Sequence, residues 1–335
     1  MAGNSWALQR GLHDPTEVTP ARLPASVRRT TAVSIVRPDG PDGPLRLDGN
    51  GRDLGTRNDD STVLFDTAQG TVEVDYVGGR TIVSAIGGHA GPDLTALVGS
   101  RASSGFRSVL AEALPDDARG HSLLYRVLDD VPVATVISGY ALTREARPIK
   151  SGGRPRPGAG PQADYCAGFA TGGVFIGGIE ANGAAPVVIG PPAPDVVHGS
   201  DPLAWHHLDG VPAKGMRRIR RIDVHENEDD AIAVDAMFRD SYVDENRAEM
   251  VLHEYHLDLT AHADTLVITS AVATPRVLPW PECTGALVGV SRLVDRTLPD
   301  VAQLVGSEFR GVESCTHLND LLRSLADVVD LATKL

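Results

Sequence analysis

The residues best suited to chemistry lie in the second half of the chain. A strand predicted over 250–260 alternates in polarity, and side chains on a strand point to opposite faces in turn. His253 therefore shares a face with apolar neighbours, whereas Glu254 and His256 point to the other face. The alternation predicts that His253 and His256 do not bind one metal ion together.

A second group of reactive residues opens the predicted last helix. The run Ser314-Cys-Thr-His317 places a thiol where unpaired backbone N–H groups and positive potential favour a thiolate. His317 is close enough in sequence to assist Cys315, and Cys283, which begins a short predicted helix, is expected to approach the same region. The predicted site comprises His253, Glu254, Cys283, Cys315 and His317.

One interpretation of this set is a thiol-assisted enzyme that needs no cofactor. Cys315 would be the nucleophile, His317 or His253 the general base, and Glu254 would orient a histidine. Backbone N–H groups at the start of the helix would hold an oxyanion. The set would then suit hydrolysis, or acyl transfer from a small ester, lactone or thioester.

Two alternatives stay open at this stage. Two cysteines and two histidines match tetrahedral zinc in ligand type, and the zinc alternative would use His253, Cys283, Cys315 and His317. The other alternative is a non-enzymatic ligand-binding or assembly module, in which Cys315 and His317 pack and cap a helix. Metal analysis of protein purified without a chelator distinguishes the zinc alternative from the other two.

Composition excludes several classes of protein. The 335 residues include 44 acidic and 31 basic side chains, a formal net charge of −13, and this balance disfavours bulk nucleic-acid binding. Three cysteines cannot form a disulfide scaffold. The chain has no apolar run of ~20 residues and no export signal pattern. We expect a cytoplasmic protein with a small-molecule substrate, no nucleic-acid or membrane partner, and a homo-oligomeric state left open.

Turn residues and periodicity divide the chain into four parts. Residues 1–25 are expected to form a loose arm, 26–142 an N-terminal α+β half, 143–164 a basic linker rich in Pro and Gly, and 165–335 a C-terminal α+β half. The sequence predicts strands and helices in both halves. Strands are predicted over 62–65, 71–77, 81–86, 131–142, 218–225, 231–240, 248–260 and 266–274, with irregular strands over 165–195. Helices are predicted over 93–114, which Pro115 ends, and over 121–128 and 282–290. An apolar stripe from Leu318 to Leu331 predicts the last helix, and Ser314 or Thr316 can cap its N-terminus.

The two halves repeat short motifs in the same order. Arg28-Arg29 corresponds to Arg217-Arg218 or to Arg220-Arg221, and Arg52-Asp53 corresponds to Arg239-Asp240. The offsets between matches vary, so insertions must be allowed, but the shared order of the matches indicates an internal repeat. We therefore expect an α+β fold with two sheet-plus-helix halves, produced by internal duplication and arranged about a pseudo-twofold axis. Such a duplication is expected to pair two sheets about this axis, with a cleft between them.

The candidate residues also resemble a family pattern. Cys315-Thr-His317-Leu, with His253-Glu254 upstream and Cys283 between them, resembles an uncharacterised bacterial family catalogued as domain of unknown function 2889. The family pattern has a His-Asp pair on a strand, an isolated Cys after a proline, and Gly-Cys-x-His-Leu at the start of the final helix. This chain differs at Glu254 and Ser314. The resemblance implies the positions of the site and no assigned reaction.

Overall fold

The chain has two blocks, and in each block four strands come first and helices follow. The computed structural model describes residues 11–88, 91–145, 163–183, 185–197 and 201–335. The strands in these ranges are β1 (Ser26–Val36), β2 (Leu45–Thr56), β3 (Thr62–Asp75), β4 (Thr81–Gly87), β5 (Met216–Glu226), β6 (Ala231–Val243), β7 (Glu249–His262) and β8 (Ile268–Val277). The α-helices are α1 (Phe106–Ala113), α2 (Pro115–Gly120), α3 (Leu123–Asp129), α4 (Val131–Ile137), α5 (Gly139–Glu145), α6 (Val174–Asn182), α7 (Val301–Glu308), α8 (Thr316–Ser324) and α9 (Val328–Ala332).

Short 3-10 helices complete the secondary structure of the described ranges. They are Thr95–Leu97, Ala167–Phe169, Pro281–Leu293, Leu298–Asp300 and Leu325–Asp327. None of the helices in the described part of the chain is both long enough and apolar enough to cross a bilayer.

The eight strands form one antiparallel sheet. Their order is β4-β3-β2-β1-β5-β6-β7-β8, so each half supplies a four-stranded meander and β1 pairs with β5 at the centre. The predicted α+β class is confirmed. The expectation of two sheets with a cleft between them is wrong, because the first strands of the two meanders pair with each other over ten residues of β1 and form one sheet.

The second meander was predicted well, and the first half less so. Strands β5 to β8 confirm the four strands predicted there, and β1 and β2 were not predicted. The segment predicted as a strand over 131–142 forms α4 and most of α5 instead. Its β-branched residues resemble a strand, but periodicity cannot separate a short buried strand from a buried helix. Helix α6 likewise replaces irregular strands predicted over 165–195.

Two glycines interrupt the helix predicted over 93–114. A 3-10 turn and α1 are separated by a loop in which Gly99 and Gly105 have positive φ angles of 85° and 91°. Glycine tolerates this backbone region because it has no Cβ. Pro115 then begins α2 rather than ending the structure. Most of the predicted linker, 146–162, lies outside the described residues.

Helices cover one face of the sheet. Helix α3 packs on β1 to β3, α8 packs on β6 and β7, and α9 packs on β1 and β5. The apolar stripe predicted at the C-terminus is confirmed, and its buried residues are Leu318, Leu321, Leu322, Leu325, Val328 and Leu331. On the opposite face a smaller core forms around Trp205, Ile219 and Met237.

Residues of the predicted arm contact the second meander. The backbone N–H of Asp14 donates to the carbonyl of Arg276 at 2.9 Å. The N–H of Thr16 donates to Oε1 of Glu254 at 2.7 Å. This part of the arm therefore lies along the outer strands of the sheet.

Buried ion pairs tie the helices to the centre of the sheet. Arg218 and Arg220 on β5 are at most 1 % exposed, and both bind Asp320 of α8. Arg218 also makes a bidentate pair with Asp240 of β6 at 2.8 and 2.9 Å. Arg220 binds Asp130, just after α3, at 2.8 Å. Fully buried arginines occur almost only where they are paired, so these contacts fix where the helices sit.

We expect Asp320→Asn to destabilise the fold strongly. The substitution removes the carboxylate shared by Arg218 and Arg220, and breaking a buried pair costs about 3–5 kcal/mol of unfolding free energy. Urea denaturation measures this loss. Asp116→Asn is the control, since Asp116 pairs with Arg119 at the surface and should leave the unfolding free energy unchanged. Equal effects of the two substitutions would show that the buried pairs do not hold the helices.

Candidate functional site

Three polar side chains meet where the β6–β7 hairpin contacts the start of α8. Asp240 and His253 lie opposite each other as register partners on β6 and β7. His317 is the second residue of α8, which packs on both strands. One ligating atom from each of the three lies within 4.8 Å of the others.

The two imidazoles face one carboxylate oxygen. Nδ1 of His253 lies 3.4 Å from Oδ2 of Asp240, and Nε2 of His317 lies 3.9 Å from the same oxygen. Both nitrogens are buried and lack a hydrogen-bond partner among the residues that the structure describes. The rings are stacked, with centroids 3.6 Å apart and planes 17° apart. An unsatisfied buried polar group costs about 1–3 kcal/mol, which makes these two nitrogens candidates for binding a ligand.

The thiol of Cys315 lies on the other side of His317. Cys315 is the residue before α8, and its Sγ is 3.9 Å from Nδ1 of His317. The phenol of Tyr255 faces the same sulfur. His317 therefore has a thiol at one ring nitrogen and a carboxylate at the other, an order that resembles a thiol–imidazole–carboxylate triad.

Burial decides the protonation state of the thiol. It raises the pKa of Cys315, although the backbone N–H groups of Leu318 and His317 lower it. Those groups face the sulfur without making a cap hydrogen bond. The helix N-terminus therefore acts as predicted, but the loss of solvent outweighs it, and the resting group is a neutral thiol rather than a thiolate.

The pKa values of the His317 imidazole and the Asp240 carboxylate are lowered, whereas that of the thiol is raised. Burial lowers the pKa of His317 well below its usual value, and the adjacent His253 lowers it further. For Asp240, burial alone would raise the pKa, but the Arg218 guanidinium and His253 outweigh it, so the pKa is lowered. At neutral pH the site thus contains an ionised carboxylate and a neutral His317.

Glu254 does not belong to this cluster. It lies on the opposite face of β7, where its Oε2 accepts a hydrogen bond from Nε of Arg239 at 2.5 Å. The prediction that Glu254 orients a histidine of the site is wrong, because strand alternation turns it away from His253. Asp240 occupies the position that was predicted for it.

Cys283 lies nearby but outside the group of converging ligand atoms. It is buried in the 3-10 helix Pro281–Leu293, and its Sγ packs closely against Gly168. Burial raises its pKa well above the usual value, and Cys315 adds to the shift. In the described part of the chain, the group within 4.8 Å includes neither Cys283 nor Cys315. The four predicted zinc ligands therefore do not form one tetrahedral set here.

Sequence reasoning missed Asp240 and Tyr255 as neighbours of the histidines. Asp240 was recognised only as part of the repeated Arg-Asp motif. A hairpin register between the strands predicted over 231–240 and 248–260 would have placed it opposite His253. Tyr255 lies two residues from His253 on the same face, which alternation alone predicts.

The cluster reaches the protein surface. The side chains of His253 and His317 are each 17 % exposed, so one edge of the imidazole pair is open to solvent. A surface depression of about 620 Å³ lies elsewhere, along Thr56, Phe65 and Lys334. The polar cluster, rather than that depression, brings together groups able to transfer protons.

Comparison with known proteins extends the sequence resemblance. Residues 216–330 match the sequence model of a family described as "Protein of unknown function (DUF2889)". The resemblance predicted from the Cys/His pattern is therefore confirmed for this part of the chain, which contains β5 to β8 and α8. No curated protein and no solved structure matches the chain significantly.

We expect the thiols of the folded protein to react slowly. Burial raises the pKa of Cys166 to about 11 and shifts Cys283 and Cys315 in the same direction. Two pKa units lower the thiolate fraction at pH 7 by about 100-fold. A disulfide-exchange reagent should modify Cys166 of the native protein about that much more slowly than in protein unfolded in guanidinium, and Cys283 and Cys315 should also react more slowly. One fast-reacting native thiol, lost in Cys315→Ala, would contradict the neutral state inferred here.

Proposed function

We propose that the chain, whose residues 216–330 match a family of unknown function, is a hydrolase, and the side-chain geometry supports this proposal. Its reactive site is the cluster of Asp240, His253, His317 and Cys315. Its substrate is a small ester, lactone or thioester. The convergence of two unpaired imidazole nitrogens on one ionised carboxylate, at a solvent-accessible edge, carries this proposal.

The electrostatics of the cluster suit activation of a water molecule. Perturbed ionisable groups collected at one place are typical of functional sites. Asp240 is held as a carboxylate by Arg218, and His317 is held neutral by burial. Both are in the state that accepts a proton or binds an electrophile. A structural role alone would leave the cost of the unpaired nitrogens uncompensated.

Cys315 is better suited to positioning than to attack. Its neutral thiol lies beside Nδ1 of His317 and under the Tyr255 hydroxyl. Transfer of its proton to His317 would create two charges, and burial disfavours both. We therefore assign the attack to water, and to Cys315 the role of fixing the orientation of the His317 ring.

A second candidate mechanism uses Cys315 as a covalent nucleophile. The observation that favours it is the order of groups around His317, with Sγ 3.9 Å from Nδ1 and Asp240 3.9 Å from Nε2. In such a triad the imidazole takes the thiol proton only as the acyl bond forms. This candidate predicts an acylated Cys315, and the water mechanism does not.

We also propose that the two halves arose by internal duplication. The strand order is the same when read from either edge. Thr31 and Arg220 pair at the centre of β1 and β5, and the single Arg220 side chain binds both Asp130 and Asp320. A pseudo-twofold axis between the halves would pass near the Thr31–Arg220 pair and would relate Asp130 to Asp320.

The proposed equivalence explains why only one half has the site. On each side an arginine pairs with an aspartate on the next strand, Arg29 with Asp53 and Arg218 with Asp240. The register partner of Asp53 on β3 is Asp66, whereas the partner of Asp240 on β7 is His253. The imidazoles are thus specific to the second half.

The hydrolase proposal predicts measurable ester or thioester cleavage. Suitable probes are p-nitrophenyl acetate, a small lactone and an acetyl thioester, each assayed against the buffer rate. His317→Gln should lower kcat/KM by ~100-fold or more, since it removes a group that activates the attacking water. Circular dichroism and thermal unfolding confirm that the variant is folded.

His256→Gln is the matched control for this prediction. His256 lies on the same meander but on the opposite face of β7, where it contacts Thr16. Its substitution should leave kcat/KM unchanged. Wild-type rates equal to buffer for every probe, or equal losses in the two variants, would contradict the proposal.

Cys315→Ala separates the two mechanisms. We expect it to lower kcat/KM by at most ~100-fold, the cost of a slightly misplaced group, and wild-type protein quenched during turnover should have its unmodified mass. Loss of a covalent nucleophile would cost ~10,000-fold or more. That loss, or an acetyl adduct on Cys315, would favour the thiol mechanism over the water mechanism.

A further inference from the structure

The carboxylates that occupy equivalent positions in the two halves have different neighbours. In the first half, Arg29 binds both oxygens of Asp53, and Nζ of Lys334 lies 2.8 Å from Oδ2 of Asp53. In the second half, Arg218 binds both oxygens of Asp240 through the same two guanidinium atoms. The Oδ2 atom of Asp240, however, faces His253 and His317 where Asp53 faces an ammonium group.

This difference points to a cation beside Asp240. From it we infer that Asp240, His253 and His317 bind a divalent first-row transition-metal ion. This ligand set keeps the two imidazoles of the four-ligand zinc alternative and has a carboxylate in place of its thiols. The inference depends on the proposed function only for the role of the ion, which is to activate the attacking water, and not for its binding.

The ligand atoms and their spacing fit such an ion. Two imidazoles and one carboxylate are a common set for zinc and for ferrous iron, and three protein ligands leave positions open for water. Ligands ~2.1 Å from a tetrahedral ion lie about 3.4 Å apart, and the imidazole nitrogens lie 3.4 and 3.9 Å from Oδ2 of Asp240.

Side chains around the three ligands support them. Arg218 holds the Asp240 carboxylate by two hydrogen bonds, and Cys315 lies at the His317 nitrogen that does not face Asp240. Groups in these positions fix ligand orientation in metal sites, and replacing them typically weakens metal binding by about 10- to 100-fold. The carboxylate and the His317 ring are therefore held in place by neighbours that are not themselves ligands.

Binding requires one imidazole ring to turn. The rings lie face to face with centroids 3.6 Å apart, so an ion equidistant from both nitrogens lies outside both ring planes, away from their lone pairs. Rotation of the His253 ring about its Cβ–Cγ bond would remove this mismatch and leave the His317 ring beside Cys315. The partial exposure of both side chains leaves solvent at the edge where that rotation occurs.

Cobalt binding tests the inference without a substrate. Full-length protein treated with a chelator and then dialysed is titrated with Co²⁺, and visible d–d absorption is recorded. We expect saturation at one equivalent, with affinity lowered more than ~100-fold in His253→Gln, His317→Gln and Asp240→Asn. Cys315→Ser should bind within about 10- to 100-fold of wild type, and the near-ultraviolet thiolate charge-transfer band should be absent.

His256→Gln serves as the control and should bind Co²⁺ like wild type. Folded wild-type protein that binds less than one-tenth of an equivalent would overturn the inference, and this result holds even if a ligand variant fails to fold. So would a saturable Co²⁺ site that survives His253→Gln and His317→Gln. Because these readouts need no turnover, Co²⁺ binding without ester cleavage would leave the metal site standing and would contradict only the hydrolase proposal.

Discussion

The fold depends on neutralising arginines that lie inside it. Arg220 lies at the centre of the sheet, where the two meanders join, and it binds Asp130 from the helices of the first half and Asp320 from those of the second. A guanidinium at this depth is tolerable only with its carboxylates in place, because an unpaired buried charge costs several kcal/mol. Each half must therefore bring its aspartate to the same arginine. This requirement helps to fix the helices of both halves on the one face of the sheet that they cover.

The same ion pairs place the candidate site. Asp320 lies three residues after His317 on α8, and Arg218 connects Asp320 to Asp240. The position of His317 over the β6–β7 hairpin thus follows from a charge requirement one helical turn away. Residues i and i+3 lie on one side of a helix, so His317 must face the same strands that Asp320 binds. The His317 imidazole and the Asp240 carboxylate therefore meet because Arg218 pairs with both Asp240 and Asp320.

Local patterns in the sequence were sufficient for some elements and insufficient for others. Alternation along β7 predicted the separation of His253 from Glu254, and the leucine stripe predicted the C-terminal helix. Strands β1 and β2 were not predicted, since Arg29 and Asp53 interrupt their apolar pattern and become compatible with burial only by pairing with each other. Asp240 was missed as a site residue for the same reason. Its role depends on a partner 13 residues away on another strand, and pairing register is not encoded in any short window.

The reactivity first attributed to Cys315 shows how two local effects compete. The start of α8 lowers the thiol pKa, but the residue is only 5 % exposed, and removal from water opposes the charged form more strongly. The sequence indicates where the helix starts but not how deeply Cys315 is buried. His317 experiences the same desolvation, and for a base the effect has the opposite consequence, since it keeps the ring neutral and its lone pair available. Burial therefore shifts the electron-pair donor of this site from the Cys315 sulfur to the His317 imidazole. It also leaves Asp240 as the one fixed negative charge among these four groups, the arrangement to which an electrophile or a metal cation is attracted.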